Sequence, residues 1–227
     1  MSATGIWAVL PVKNIENAKQ RLSPTLAPEE RRALFQAMVE DVLSALAAGP
    51  GLAGIMMVTR DPEAIRLGER YGARVLIEEA NLGHSEASTL AAQTLAAQGV
   101  AGMLQIPGDL PAVTADDVAA VLDAHGEAPA MTIAPSRDDR GSNALACSPP
   151  DLLPFRFGED SFHPHCARAR ELGVEPTVVR RPGLGLDIDT PDDLKAFLAA
   201  PSDGRAHRYL LASGIAQRLL RPTSALE

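Results

Sequence analysis

Three cations follow the first apolar run of the chain. Residues 6–10 are apolar, end at Pro11 and predict a buried strand, and Lys13, Lys19 and Arg21 then lie within nine residues. Cations in such a loop can neutralise a polyphosphate, and Arg21 can donate two hydrogen bonds to phosphate oxygens. The alternative is an ordinary solvated loop. The spacing matches neither a Walker loop nor the dinucleotide-binding fingerprint.

Three aspartates are candidate metal ligands. Asp109 follows the apolar run 102–106, and Asp187 and Asp189 alternate along an extended segment, which directs both carboxylates to one side. We expect each to follow a strand, where ligands gather in open α/β sheets. Carboxylate oxygens are the ligands that Mg²⁺ prefers. Alternatively, Asp109 only begins a turn and Asp189 belongs to a helix cap beside Thr190.

A third group of residues predicts an anion site. Ser142 lies in a polar turn over residues 136–143, and Gly158 and Ser161 lie before a predicted helix. A serine hydroxyl, a glycine amide and a serine at a helix N-terminus can together hold an anion. The alternative is two turns and a helix-capping serine.

The histidines and cysteines do not indicate covalent or zinc chemistry. His163 and His165 flank a proline without a third ligand at zinc-like spacing, so we expect structural or hydrogen-bonding roles. Cys147 and Cys166 lack metal-ligand spacing and are expected in the core as reduced thiols. The sequence has no Gly-x-Ser-x-Gly elbow.

The elements that must position these residues alternate between strand and helix. This order predicts a largely parallel sheet covered by helices on both faces. The predicted strands are 6–10, 54–58, 73–77, 102–106, 130–134, 144–147 and 177–179. The predicted helices begin at Glu29, Pro62, after the loop 78–85, after Thr114, at Ser161 and at Pro191.

The length of 227 residues fits one α/β domain, which we assign to residues 1–200. Residues 201–227 form a C-terminal extension with a weakly amphipathic segment, and packing or a homodimer contact is open to it. The sequence contains no internal repeat and no low-complexity tract.

Composition narrows the class of protein. Apolar residues make up 46% of the chain, enough for a sizeable core, and the net charge of −8 argues against a general nucleic-acid binder. No window reaches membrane-spanning length, and no leader pattern opens the sequence. These features favour a cytoplasmic protein without a membrane partner.

The chain resembles the 2-phospho-L-lactate guanylyltransferase family, which includes phosphoenolpyruvate and 3-phospho-D-glycerate guanylyltransferases of coenzyme F-420 biosynthesis. The resemblance covers residues 6–198 and rests on five segments in the family's order. These are Pro11-Val12-Lys13 with Ala18-Lys19-x-Arg21-Leu22, Pro107-x-Asp109-Leu110-Pro111, Arg140-Gly141-Ser142-Asn143, Phe157-Gly158-x-x-Ser161-Phe162-x-x-His165, and Asp187-Ile188-Asp189-Thr190-Pro191.

The resemblance implies a three-layer α/β/α nucleotidyltransferase fold of the glycosyltransferase-A type, with a mainly parallel mixed sheet. It implies a Mg²⁺-dependent enzyme that joins GMP from GTP to a small phosphorylated acid. Mg²⁺ would be held by Asp109, Asp187 and Asp189, and the acid by Ser142, Gly158 and Ser161. The nucleotide would be bound by Pro11, Lys13, Lys19, Arg21, Gly83, Ser85 and Asp109, of which Lys13, Lys19, Arg21 and Asp109 would be catalytic.

The chain departs from the family pattern at two places, and two other functions are also compatible with the sequence. Many relatives have Thr at position 142, and Gly-Leu-Asn where this chain has Gly83-His84-Ser85, in the loop expected near the base. One rival function is nucleotidyl transfer to a sugar phosphate or the molybdenum cofactor. Those relatives begin with a glycine-rich loop that this chain lacks. The other is a non-catalytic GTP sensor. The sequence leaves the choice of acid open.

Overall fold

The computed structural model describes residues 5–78, 83–158 and 160–221. The strands are β1 (Ile6–Pro11), β2 (Leu52–Val58), β3 (Arg74–Leu76), β4 (Gly102–Gln105), β5 (Ala130–Pro135), β6 (Ser142–Ser148) and β7 (Thr177–Val178). The helices are α1 (Pro28–Ala48), α2 (Pro62–Arg70), α3 (His84–Ala97), α4 (Ala115–Asp123), α5 (Phe162–Glu171), α6 (Pro182–Gly185), α7 (Pro191–Ala199), α8 (Arg205–Ala212) and α9 (Ile215–Leu220). None of these described helices is both long and apolar enough to cross a membrane.

In the described part of the chain, seven strands form one mixed sheet in the order β3-β2-β1-β4-β6-β5-β7. β1 pairs in parallel with β2 and β4, β2 with β3, and β5 with β7. Among the described strands, β6 alone runs against its neighbours, antiparallel to both β4 and β5. The predicted mainly parallel mixed sheet is confirmed.

Alternate residues of β1 face opposite sides of the sheet, and helices cover both sides. Ala8 and Leu10 pack with apolar residues of α1, α2 and α4. Trp7 and Val9 pack with apolar residues of α3 and α5. Burial on both faces explains why the strand is a continuous apolar run instead of an alternating one. The predicted three-layer α/β/α arrangement is confirmed.

Side-chain caps fix where three helices begin. The Asp61 carboxylate accepts hydrogen bonds from two backbone amides of the first turn of α2. The side chains of Thr114 and Thr190 each accept a hydrogen bond from the backbone N–H three residues later, of Asp117 and Asp193. The carboxylates of Asp117 and Asp193 in turn accept the backbone N–H of the threonine. These reciprocal bonds satisfy amides that have no partner within the helix.

Among the described residues after position 200, α8 and α9 pack on the rest of the chain. Leu210 of α8 and Ile215 of α9 join a buried cluster with Leu34 and Met38 of α1, and with residues of α7. The buried Asp41 carboxylate of α1 accepts hydrogen bonds from the amides of Arg205 at 2.8 Å and Ala206 at 2.9 Å. It thereby caps α8 from 164 residues away in the chain. The division at residue 200 stays a prediction.

Two local predictions around the site are wrong. The sequence predicts Ser142 and Asn143 in a turn, but they begin β6, because their segment pairs with β5. It predicts Asp187 and Asp189 directly after a strand, but the short helix α6 separates them from β7. A single backbone bond, from Ile188 N to Asp109 O at 3.1 Å, ties this segment to the loop after β4.

The Asp41 cap predicts a measurable contribution to stability. We expect Asp41→Ala to destabilise the protein by about 2 kcal/mol, because the first amides of α8 lose their buried acceptor. Urea unfolding followed by circular dichroism measures the change. The control is Asp192→Ala, whose side chain is 83% exposed; we expect it to change stability by less than about 0.5 kcal/mol. Equal midpoints for the two variants would contradict the capping role.

Candidate active site

Two adjoining cavities open at the edge of the sheet where β1 and β4 end. The first, which we call the cationic cavity, has a volume of about 550 Å³ and is lined by Pro11, Lys13, Lys19 and Arg21 among others. The second, the serine cavity, has a volume of about 580 Å³ and is lined by Ser142, Gly158, Ser161 and Asp187 among others. Both are lined by Arg21, His84, Pro107, Asp109 and Asp189.

The serine cavity reaches this edge because β6 is antiparallel to β4. Gln105, the last residue of β4, pairs with Leu145 of β6, so the beginning of β6 extends past the end of β4. Ser142 therefore lies at the same edge as Asp109, which follows β4. The predicted cations and the predicted anion-binding residues surround one opening, as ligand sites of open α/β sheets do.

The Lys19 ammonium lies between two of the predicted metal ligands. Its Nζ contacts Asp109 Oδ2 at 2.6 Å and Asp189 Oδ1 at 2.7 Å, and the lysine side chain is only 6% exposed. Burial acts to lower the pKa of Lys19, but the two carboxylates outweigh it and raise the pKa above its usual value. Lys19 therefore stays charged at neutral pH.

The loop holds Lys19 in an uncommon backbone conformation. Its φ of 56° and ψ of 44° are left-handed, a conformation that costs energy for a residue with a Cβ atom. The ammonium also lies 5.8 Å from the centre of the Phe35 ring. The ion pairs with the carboxylates offset the backbone strain, so the loop and the carboxylates position one another.

Asp189 is surrounded by positive charge. Burial alone would raise its pKa, but Lys19 and the more distant Arg21, whose Nη1 lies 3.6 Å from Asp189 Oδ2, together lower it. Asp189 is therefore ionised over the whole neutral range.

Asp187 has the opposite electrostatic environment. Burial raises its pKa, and repulsion from Asp109 and Asp189 adds to the shift. Asn143 Nδ2 donates to Asp187 Oδ1 at 3.2 Å, a bond that opposes the shift. A third carboxylate that is repelled by two others would be stabilised by an additional cation.

The donor set fits a divalent cation, although a complete metal site is not preformed. Asp109 Oδ1 is buried and accepts no hydrogen bond from any residue of the described ranges. Within those ranges no three His, Cys, Asp or Glu side chains are already grouped as metal ligands. The Lys19 ammonium instead supplies positive charge between Asp109 and Asp189. The unsatisfied Asp109 oxygen and the repelled Asp187 carboxylate are the chemistry that a hard cation requires.

The two predicted serines contact each other at the serine cavity. Ser142 N donates to Ser161 Oγ at 3.0 Å, and the Ser161 hydroxyl donates to Ser142 Oγ at 3.1 Å. Both residues are buried, whereas Gly158 is exposed at the rim. The structure thus brings the predicted anion-binding residues together.

Two arginines that sequence reasoning did not select also line the serine cavity. Arg137 pairs with Asp193 at 2.7 Å, and Arg140 pairs with Asp160 at 2.7 Å. Arg140 begins the segment Arg140-Gly141-Ser142-Asn143, and its place beside Ser142 in the sequence is a signal that could have identified it. Arg137 lies in a polar turn where nothing local distinguishes it from a surface residue. Both guanidiniums add positive charge where an anion would bind.

His84 lies where the two cavities meet. Its Nε2 is 2.8 Å from the Gln105 side-chain amide, and its ring stands edge-on to Phe157 with centroids 4.6 Å apart. Burial lowers the pKa of His84 to about 4, and the attraction of Asp109 opposes this only in part. His84 is therefore a neutral wall residue at physiological pH.

Gly83 and Ser85, on either side of His84, are not among the described residues that line the cationic cavity. Gly83 caps α3 with a φ of 126°, a conformation that favours glycine. Ser85 Oγ accepts the Phe157 N–H at 2.9 Å, and Ser85 lines a separate cavity of about 210 Å³ beside α3. Nucleotide binding by Gly83 and Ser85 stays a prediction, as do the other residue roles.

The remaining predictions from the sequence concern the two cysteines and the histidine pair. Cys147 and Cys166 are free and buried, as predicted. His165 is buried and hydrogen-bonded, whereas its neighbour His163 is exposed and lies beside the Phe162 ring.

The sequence matches a protein-family model described as "Guanylyl transferase CofC like" over residues 6–225. The phosphoenolpyruvate guanylyltransferase of Sphaerobacter thermophilus is 38% identical over 83% of this chain and 90% of its own length. The corresponding protein of Conexibacter woesei is 36% identical over 95% and 96%. The 2-phospho-L-lactate guanylyltransferase of Methanothermobacter thermautotrophicus is 32% identical over 89% and 88%.

Two solved structures share this fold. A nucleotide-diphospho-sugar transferase structure from Desulfovibrio desulfuricans superposes with a TM-score of 0.78 at 19% identity, over 96% of this chain and 99% of that one. A cytidylyltransferase from Leptospira borgpetersenii gives 0.59 at 11% identity, over 99% and 100%. At these identities the likeness concerns the fold, and it confirms the predicted nucleotidyltransferase architecture.

The Lys19 ion pairs predict a pH-dependent loss of stability when the ammonium is removed. We expect Lys19→Met to destabilise the protein by about 2 kcal/mol at pH 7.5, because the carboxylates of Asp109 and Asp189 lose their shared cation. The lowered pKa of Asp189 stabilises the wild type above the unfolded pKa of about 4, and this is lost as pH falls. The difference between the proteins should therefore persist down to about pH 4 and shrink as the pH falls further, through the lowered pKa of Asp189.

Urea unfolding at a series of pH values measures this difference. The matched control is Lys195→Met, which removes an ammonium from an exposed pair with Asp192. We expect the control to change stability by less than about 0.5 kcal/mol at every pH. A Lys19→Met deficit that stays constant from pH 7.5 to well below pH 4 would show that lost packing, and not the ion pairs, is responsible.

Proposed function

Because the chain belongs to the CofC-like family of guanylyltransferases, we propose that it transfers GMP from GTP to the phosphate of a small phosphorylated acid and releases pyrophosphate, as a step in coenzyme F-420 biosynthesis. The family membership confirms the resemblance inferred from the five sequence segments, and with it the prediction of a nucleotidyltransferase. The acceptor is 2-phospho-L-lactate, phosphoenolpyruvate or 3-phospho-D-glycerate. The relatives named above support the first two by their names.

The shared wall of the two cavities is the observation that carries this proposal. Arg21, Asp109 and Asp189 line both cavities, so ligands in the two would meet at these residues. The triphosphate of GTP binds in the cationic cavity, against Lys13, Lys19 and Arg21. The acid binds in the serine cavity, against Ser142, Gly158 and Ser161. In this proposal the acceptor lies beside the α-phosphate.

The reaction needs charge neutralisation more than acid–base catalysis. An oxygen of the acceptor phosphate attacks the α-phosphorus, a new oxygen–phosphorus bond forms, and the bond to the pyrophosphate oxygen breaks. A phosphate nucleophile is already ionised at neutral pH, so no general base is required. The obstacle is repulsion between two anions, which the cations of the loop after β1 offset while they stabilise the departing pyrophosphate.

The carboxylates fit the predicted role of Mg²⁺ ligands. Asp109 and Asp187 would hold the ion, since one has an unsatisfied oxygen and the other is repelled by its neighbours. Asp189 completes the predicted set and also anchors Lys19. When bound, Mg²⁺ supplies positive charge to phosphate oxygens. Lys19 lines the cationic cavity and holds its ammonium between Asp109 and Asp189.

The first experiment measures pyrophosphate release by the purified protein with MgCl₂. GTP, ATP and CTP are each combined with the three acids and with a sugar phosphate as control. We expect release only with GTP and one of the acids, because the pocket selects both base and acceptor. Release with the sugar phosphate would indicate the other transferase class. GTP binding without release from any mixture would favour a non-catalytic sensor.

Substitution at the serine cavity tests where the acid binds. We expect Ser142→Ala to raise the KM for the acid about tenfold and to leave the KM for GTP within about twofold, because one hydrogen bond to an anion is lost. The matched control is Ser148→Ala, at the opposite end of β6, where the hydroxyl contacts His125. A Ser142→Ala enzyme that is changed only in its KM for GTP would exchange the assignments of the two cavities.

A further inference from the structure

His165 connects two walls of the serine cavity. It lies in the first turns of α5 and is 2% exposed. Its Nδ1 is 2.9 Å from Ser142 Oγ at the start of β6. Its Nε2 is 3.1 Å from the backbone nitrogen of Arg156, in the segment that leads to Gly158. One imidazole therefore contacts both the hydroxyl and the loop that border this cavity.

The Arg156 amide determines which ring nitrogen of His165 carries the proton. A backbone N–H only donates, so Nε2 must accept and be unprotonated. Burial lowers the pKa of His165 to about 4, so the ring is neutral at physiological pH and its single proton is on Nδ1. Nδ1–H then donates to Ser142 Oγ. The opposite tautomer would place two N–H groups against each other.

This donation leaves one of the two serine hydroxyl hydrogens unused within the group of His165, Ser142 and Ser161. The two hydroxyls share one hydrogen bond, so they use one of their two hydrogens between them. Ser161 Oγ already accepts the Ser142 amide, and Ser142 Oγ accepts His165 Nδ1–H. With Ser161 donating to Ser142, the Ser142 oxygen has accepted two bonds and its own hydrogen has no role within the pair. That hydrogen is available to an anion in the cavity.

The loop on the other wall is held by the same ring and by α3. Phe157 follows Arg156, and its N–H donates to Ser85 Oγ of α3 at 2.9 Å. Its ring packs against His165, with centroids 5.2 Å apart, and against His84, with centroids 4.6 Å apart. Gly158 comes next in the chain and lines the cavity. His165 is therefore one of the groups that fix the path of the chain into Gly158.

We propose that His165 is a positioning residue for the acceptor: its Nδ1–H donates to Ser142 and thereby directs one serine hydroxyl hydrogen at an anionic oxygen of the phosphorylated acid. The inference rests on the proposed function, because it concerns the acceptor half of that site. His165 does not itself touch the reacting atoms. Its effect is on how strongly the acid is bound in a productive orientation.

Two substitutions of His165 distinguish the effect of its hydrogen bond to Ser142 from the effect of its hydrogen bond to Arg156. Asparagine carries its amide at the position of Nδ1, so His165→Asn retains a donor for Ser142. Glutamine carries its amide at the position of Nε2, so His165→Gln retains a partner for Arg156 and loses the donor. We expect His165→Gln and His165→Ala to raise the KM for the acid about tenfold, and His165→Asn to stay within about threefold of wild type. The KM for GTP should not change.

The matched control is His125→Asn. His125 also lies between two hydroxyls, of Thr132 and Ser148, but at the opposite end of β6. It should leave the KM for the acid unchanged. Urea unfolding of every variant identifies those that lose activity through instability.

NMR spectroscopy tests which ring nitrogen of His165 carries the proton, and it does so without enzyme turnover. Long-range proton–nitrogen NMR of the wild type at pH 7 should show the His165 proton on Nδ1, and Ser142→Ala should shift that nitrogen's resonance. A proton on Nε2, or an acid KM that is unchanged in His165→Gln while Ser142→Ala raises it, would overturn the role of His165 and leave the proposed function intact. If the wild type uses none of the acids, the proposed function itself fails.

Discussion

The Lys19 ammonium joins three segments that are remote in the chain. Its partners are Asp109, 90 residues away, and Asp189, 170 residues away. Each carboxylate alone would pay a desolvation cost at the base of a cleft, and together they would repel each other. A buried ammonium between them removes both problems. These ion pairs therefore fix three segments relative to one another: the loop after β1, the loop after β4 and the segment before α7.

The rest of the site depends on the reversal of β6. In an all-parallel sheet, the beginning of β6 would lie at the edge opposite Asp109. Because β6 is antiparallel to β4, Ser142 comes to the edge that carries Asp109, and Ser148 comes to the far edge. The α5 residues Phe162 and His165 then follow at the same edge, since Phe162 N donates to Arg140 O at 2.9 Å. The serine cavity thus lies beside Asp109 because of one change of strand direction.

The site carries strain and charge that the surrounding fold must offset. Lys19 has a left-handed backbone, Asp187 is repelled by two neighbours, and Asp109 has an unsatisfied buried oxygen. Such features cost stability and persist where ligands use them. By contrast, the helix caps at Asp61, Thr114 and Thr190 satisfy local backbone groups. The packed layers and the helix caps thus stabilise the fold, and the strained or unsatisfied groups lie at the edge where the two cavities open.

The sequence by itself determined the element types and the residue types of the site. Apolar runs, helical periodicity and capping residues act over a few positions, so they predicted the α/β alternation and helix starts such as Thr114. Tertiary structure decided what local patterns do not encode. Asp187 follows a helix instead of a strand. Ser142 and Asn143, which the sequence predicts in a polar turn, begin a buried strand. Lys19 pairs with two carboxylates that are distant in the chain. Each of these depends on contacts between segments far apart in the chain, whose energies arise only when the sheet has assembled.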